Sequence, residues 1–155
     1  MKKVLVLCMS VVVLIGMSTI PVKAEEQSVK VEESYLLRDV TQVTSERVIQ
    51  PRGAFLQQGS SSLVKTGEGL VTAGGDTIAQ QVVKSISVNV ILERLDENDM
   101  RWVQQHSWIA EGKNTTMIQC NKTVPVPRDQ FYRVRSIHYA ETDTSSSFTD
   151  GLFIK

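Results

Sequence analysis

The stretch from Val82 to Ala110, VVKSISVNVILERLDENDMRWVQQHSWIA, most limits what this chain can fold into. Ile86, Val88, Val90 and Leu92 fall on one side of a period of two, while Ser85, Ser87, Asn89 and Glu93 fall on the other. That alternation predicts a β-strand from Val82 to Leu95 with one face in a core and one in water. Asp96-Glu97-Asn98-Asp99 is a short polar connection, and Arg101 to Ala110 reads as the returning strand of a hairpin. In that second strand Trp102 and Trp108 share a face with Gln104 and His106, so both faces are expected to be partly covered.

The same reading extends in both directions. Ser62–Thr66 is a first short strand, Gly67-Glu68-Gly69 a turn, Leu70–Ala73 a second strand, and Gly74-Gly75-Asp76 a turn or bulge. After Gly112-Lys113-Asn114 come a strand over 115–124 closed by Pro125 and Pro127, a strand over 129–140, a loop ETDTSSS, and a last strand over 148–155. About seven strands with turn signals every eight to twelve residues predict an all-β, antiparallel sandwich beginning near residue 60. Residues 25–59 read as a loosely ordered leader. Leu36, Leu37, Val40 and Val43 allow a short amphipathic helix within it, and Gly59 with Ser60, Ser61 and Ser62 a loop.

The N-terminus fixes the expected compartment. Lys2 and Lys3 precede an apolar run from Val4 to Ile20, followed by Pro21 and the small-residue exit Val22-Lys23-Ala24. This is the pattern of a secretory signal cleaved between Ala24 and Glu25. A run of about 17 residues sits at the lower limit for spanning a bilayer, and the charged, alanine-terminated exit favours processing over a membrane anchor. Cys8 lies inside the run and is wrongly placed for the lipid-bearing first residue of a lipoprotein.

Cleavage leaves 131 residues, enough for one domain with a real core. It also takes the basic count from 17 to 14 against 17 acidic residues, a net charge of about −3. A mildly acidic chain does not concentrate the Lys and Arg that hold phosphate backbones, so nucleic acid is excluded as an expected partner. Stable membrane insertion after signal removal is not expected either. With Cys120 its single cysteine, the mature chain has no internal disulfide and must be held by its core. An exported, disulfide-free chain suggests a bacterium with one membrane. Ile118-Gln119-Cys120-Asn121 places Cys120 beside Ile118 on one strand face, as a small buried hydrophobe.

No stretch has the spacing of a catalytic, metal or cofactor site, and no cofactor is expected. His106 and His138 lie on different strands; His138 with a serine and Glu141 or Asp143 could form a triad by geometry alone, but no serine sits in a nucleophile elbow. Asp96–Asp99 lacks the glycine and distant glutamate of a calcium loop. GEGLVTAGG lacks the third glycine and the following helix of a phosphate loop. Asn114-Thr115-Thr116 and Asn121-Lys122-Thr123 match the glycosylation acceptor pattern and read as strand-edge polar residues.

DQFYRVRSIHYAE, residues 129–141, holds the candidate binding residues. Period two puts Phe131, Arg133, Arg135, Ile137 and Tyr139 on one face and Tyr132, Val134, Ser136, His138 and Ala140 on the other. The stretch resembles the penultimate strand of immunoglobulin and fibronectin type III-like sandwiches, where a tyrosine near the strand start bonds back to the preceding corner. Tyr132 matches that tyrosine. The resemblance implies that its face is the core face and that Arg133, Arg135 and Tyr139 point outward, where stacking of arginines on neighbouring aromatics is the favoured, structural reading and a partner surface the alternative if that face is open.

Over a longer span the chain is similar to a family of small exported proteins of Gram-positive bacteria with a domain of unknown function. The features that carry the similarity are the signal, the Pro51-Arg52-Gly53 opening, Gly67-x-Gly69-x-Val71, VNVILERLD with a Trp after the hairpin, FYRVRSIH, and Gly151-x-x-Ile154. That resemblance brings no catalytic residues.

The expected function is a secreted, non-enzymatic module acting through a surface on the cell wall, an extracellular protein or a glycan. A small exported hydrolase using His106 or His138 is the alternative. A secreted toxin ranks third, because membrane-attacking chains tend to be cationic and amphipathic. N-terminal sequencing of the protein from culture supernatant is expected to begin at Glu25; a chain still carrying residues 4–20 would contradict the cleaved-signal reading.

Overall fold

The structure, a computed structural model, describes residues 29–45 and 53–155. The expected signal segment, its cleavage site and Pro51-Arg52 lie outside the described residues. Eleven strands follow in order: β1 Lys30–Val31, β2 Ser34–Leu37, β3 Gln42–Thr44, β4 Leu56–Gly67, β5 Leu70–Val83, β6 Ile86–Asp96, β7 Arg101–Gly112, β8 Thr115–Pro125, β9 Gln130–Ala140, β10 Asp143–Phe148 and β11 Gly151–Ile154. Seven form one sheet in the order β1-β2-β11-β9-β6-β7, with β10 also on β9, and four form a second sheet in the order β3-β4-β5-β8. All pairings are antiparallel except that of β2 with β11. The two sheets make the expected all-β sandwich.

The core is where the period-two pattern placed it. Val88, Val90 and Leu92 of β6 meet Tyr132 and Val134 of β9 and, from the other sheet, Leu63, Val71, Ala73 and Cys120. Ile86 and Ala140 pack with Leu56, Ala79 and Val83 at one end. The Tyr132 hydroxyl donates to the Pro127 carbonyl at 3.0 Å, five residues back, which is the corner contact its position implied. Tyr132, Val134, Ser136, His138 and Ala140 are all buried, so the core face of β9 is as read.

The sequence reading needs five corrections. Residues 30–44 carry no helix: they supply β1 and β2 to one sheet and β3 to the other, so this part of the expected leader belongs to the sandwich. Gly59–Ser62 and Gly74–Asp76, read as loop and turn, run mid-strand in β4 and β5, paired Gly59↔Thr77, Ser61↔Gly75 and Ser62↔Gly74. The expected Val82–Leu95 strand divides at Lys84-Ser85, where the chain crosses between sheets; the Lys84 amide donates to the Glu141 carboxylate and the Glu141 amide to the Ser85 carbonyl. ETDTSSS is largely β10, and Thr149-Asp150 separates it from β11. A bulge in β7 at Gln105, opposite Leu92 and Glu93, separates the two tryptophans: Trp102 pairs with Leu95 on the outer face and Trp108 with Val90 on the inner one.

One cause underlies the misread turns. Gly59, Ser61, Gly75 and Thr77 are small because Ser136 and His138 of the facing sheet occupy the space opposite them. A Cβ on Gly59 would lie 2.2 Å from His138 Cδ2, and one on Gly75 would lie 2.6 Å from Ser136 Oγ and 2.9 Å from a Val90 methyl carbon. In this sandwich the mid-strand glycine marks close approach of the opposite sheet. Gly59→Ala is therefore expected to destabilise by about 1–3 kcal/mol, the usual range for overpacking a core. Urea unfolding checks this, and an unchanged midpoint would contradict the packing described.

Candidate functional site

Two polar groupings emerge from the fold, one sealed inside and one on the outer face. Inside, a hydrogen-bond chain joins the sheets. Ser61 Oγ of β4 lies 2.8 Å from Ser136 Oγ of β9 and 2.7 Å from Ser147 Oγ of β10. Ser147 Oγ lies 2.8 Å from His138 Nε2, and His138 Nδ1 lies 2.9 Å from Thr77 Oγ1 of β5, which donates to the Ser87 carbonyl at 3.0 Å. All five side chains are buried, and His138 and Thr77 have no exposed surface.

The chemistry of this chain follows from burial. Removing the ring from water disfavours imidazolium and holds His138 down at about 4; the Asp76 carboxylate pulls only partly the other way. Because Thr77 gives its proton to a backbone carbonyl, its oxygen accepts from Nδ1–H, leaving Nε2 to accept the Ser147 proton. His138 is thus a neutral, bivalent connector between sheets. It has the Ser–His contact of a nucleophile pair, yet both ring nitrogens are occupied by hydroxyls and the ring has no exposed surface.

His106 is elsewhere, exposed on β7 and stacked on Trp108 with ring centroids 5.5 Å apart. The structure does not bring the two histidines together. Glu141 and Asp143, the acids considered for a triad, instead bind backbone. Asp143 accepts from the Phe55 amide at 2.7 Å and the Leu56 amide at 3.0 Å, and the Leu56 and Phe55 bonds lower its pKa. Among the described residues no group of three or more His, Cys, Asp or Glu side chains is arranged to hold a metal ion. Cys120 is buried, and burial pushes its thiol up.

The outer face of the larger sheet carries the sequence candidates in cross-strand rows: Gln104–Glu93–Arg133, then Ser107–Ile91–Arg135–Phe148, then Ile109–Asn89–Ile137–Ser146, then Glu111–Ser87–Tyr139–Thr144. In the first row Glu93 and Arg133 are covered, while Gln104 at the sheet edge is exposed. Arg133, which the strand phase put on the outward side, is 6% exposed. Its Nε donates to Glu93 at 2.7 Å, Nη2 to Glu32 at 3.0 Å and Nη1 to Ser34 Oγ at 3.1 Å, and its guanidinium lies 4.7 Å from the Trp102 ring centre. Phe131 is buried beside Phe153, under Arg38. What hides these residues is the 30–38 segment, whose contribution to the sheet the sequence did not disclose.

The remaining rows are open. Arg135 is half-buried and donates to the second oxygen of Glu93 at 3.0 Å, so one carboxylate bridges both arginines. Tyr139 is exposed, at 36%, and borders a shallow groove of about 410 Å³ lined by Ser85, Ile86, Ser87, Glu111, Gly112 and Lys113. Of the three candidates, Tyr139 faces solvent, Arg135 does so in part, and Arg133 is an internal tie. The sequence missed Glu111 and Lys113 as neighbours of Tyr139, because the register across β6 that aligns β7 with β9 is a long-range property.

Comparison with protein-family models, curated proteins and solved structures finds no match. The site therefore rests on its own geometry.

The buried imidazole sets a pH dependence. An unfolded histidine titrates near 6.5 and the folded one at about 4, so between these values the unfolded chain binds the extra proton. Stability is then full above about pH 6.5 and falls as the pH drops towards 4, by up to roughly 3 kcal/mol. Urea midpoints at pH 7 and pH 4.5 check this, the lower pH giving the lower midpoint; equal midpoints would contradict a buried neutral His138.

Proposed function

We propose that the chain is a secreted, non-enzymatic β-sandwich that acts by binding, and that the open rows around Tyr139 engage a glycan of the cell wall. The observation that carries this reading is the placement of Tyr139. It is an exposed aromatic ring beside a groove lined by Ser85, Ser87, Glu111 and Lys113 together with Ile86 and Gly112, so polar groups and apolar surface meet there. An amphipathic ring among a few fixed polar groups suits a ligand that offers both an apolar face and hydroxyls. Trp102, Phe131 and Tyr132, three of the other large aromatics, are buried and serve the fold.

Export of the chain, expected from its N-terminus, supports the wall as the place of action. The hydrolase alternative has one supporting contact, Ser147 with His138 at 2.8 Å. Against it stand the complete burial of both groups and a ring whose basicity is lowered by that burial.

Co-sedimentation with purified cell walls tests the proposal. The wild-type chain is expected to pellet with the walls, and Tyr139→Ala to weaken binding by about tenfold, the effect of losing an aromatic anchor worth roughly 1.4 kcal/mol. Wild-type protein that stays in the supernatant, or a variant that pellets equally, would sink the glycan reading; binding that protease treatment of the walls abolishes would point to a protein partner.

A further inference from the structure

The Tyr139 groove lies at one end of an open track along β9. β11 pairs with β9 only over Gln130–Tyr132, so the covered half of the face ends there, and β10 flanks the strand from Arg135 to Ala140. Along that second half Tyr139, Ile137 and Arg135 succeed one another on the outer face, while Ser136 and His138 between them are buried. At a rise of about 3.4 Å per residue, Arg135 stands about 14 Å from Tyr139.

Arg135 is held unlike an ordinary surface arginine. Its side chain is 39% exposed, and its Nε donates to Glu93 Oε1 at 3.0 Å. The Glu93 side chain is buried, and its other oxygen accepts from Arg133 Nε at 2.7 Å. The carboxylate that aims Arg135 is thus itself fixed by burial and by a second arginine, which sets the direction of the guanidinium on the open face. Among the described residues nothing pairs with its Nη1 or Nη2: the Glu93 contact is its one hydrogen bond and ion pair.

The surrounding charge is unevenly shared. Arg133 meets two carboxylates, Glu93 and Glu32, whereas Arg135 has part of one. Neither its own cross-strand row nor the next row towards Tyr139 contains an acidic residue. A positioned guanidinium with two free nitrogens and an incompletely balanced charge calls for an anion, and its fork matches the paired oxygens of a carboxylate or a phosphate.

We infer that Arg135 is an anion subsite of the wall-binding face, and that the polymer lying along β9 carries a carboxylate or phosphate group about 14 Å from the ring that meets Tyr139. This rests on the glycan reading of the Tyr139 groove and specifies it: the ligand is an acidic wall polymer.

Co-sedimentation of wild type and Arg135→Gln with purified walls, over a range of NaCl concentrations, gives the test. At low salt the variant is expected to bind about tenfold more weakly, the usual consequence of losing a charge-assisted contact. That ratio is expected to shrink towards one as salt screens the contact, which a merely structural role of Arg135 would not produce. Capping wall carboxylates by amidation with ethanolamine, or removing phosphodiester-linked polymers with hydrofluoric acid, is expected to weaken wild-type binding by about tenfold in one of the two cases, and the effective treatment names the source of the anion. Equal binding of wild type and variant, a ratio that salt leaves unchanged, or wild-type binding that both treatments leave intact would overturn the anion subsite; a loss in Tyr139→Ala under the same conditions would still uphold the glycan reading. Wild-type protein that does not bind untreated walls would overturn both. Should circular dichroism show that the variant folds incompletely, wild type on the treated walls decides, because there only the ligand has changed.

Discussion

The sandwich depends on a polar connection through its middle. Ser61, Ser136, Ser147, His138 and Thr77 form one hydrogen-bond chain between β4 and β5 on one side and β9 and β10 on the other. Buried polar groups hold a fold to one arrangement only when they are satisfied, since an unpaired member is expensive in a low-dielectric interior. Here the ring accepts at one nitrogen and donates at the other, which ties the relative position of the sheets to the tautomer of one imidazole. The glycines opposite it are part of the same constraint. Gly59 and Gly75 bring the β4 and β5 backbones close enough for short hydroxyl side chains to span the gap.

A second polar tie operates on the outer face. Glu93 bridges Arg133 and Arg135 there, and Arg133 in turn holds Glu32 and Ser34 of the 30–38 segment. With the Trp102 indole donating to the Val31 carbonyl at 3.2 Å, this anchors the segment over half of the sheet. The strip of arginines and aromatics at 129–141 is thereby divided between two tasks. Its first half is internal structure and its second half, ending in Tyr139, remains at the surface. Coverage by a short N-terminal segment, more than the chemistry of the strip itself, decides which residues can meet a partner.

Much of this architecture was legible in the sequence, and the exceptions share a physical origin. Val88, Val90, Leu92 and Val134 announced their faces because large apolar side chains at period two have one plausible destination. Tyr132 announced its corner through its position at the strand start. Gly59, Ser61, Gly75, Thr77 and Ser145–Ser147 did not, because small and hydroxylated residues are common both in turns and where two sheets approach closely. Only the partner, His138, separates these cases, and it stands 61 residues from Thr77. The bulge at Gln105 was equally silent, so Trp102 and Trp108 appeared to share a face they do not share. The burial of Arg133 depends on residues 99 and 101 positions away, beyond the reach of any local pattern.

The account turns on a neutral histidine linking two sheets, and nitrogen-detected NMR of the imidazole tests that most directly. Long-range 15N–1H correlation spectra recorded from pH 7.5 down to 4.5 should show His138 as a neutral ring with its proton on Nδ1 while His106 serves as an internal comparison. A His138 ring that becomes imidazolium near its ordinary value of 6.5, or that carries its proton on Nε2 at pH 7, would contradict the hydrogen-bond chain on which this description of the fold rests.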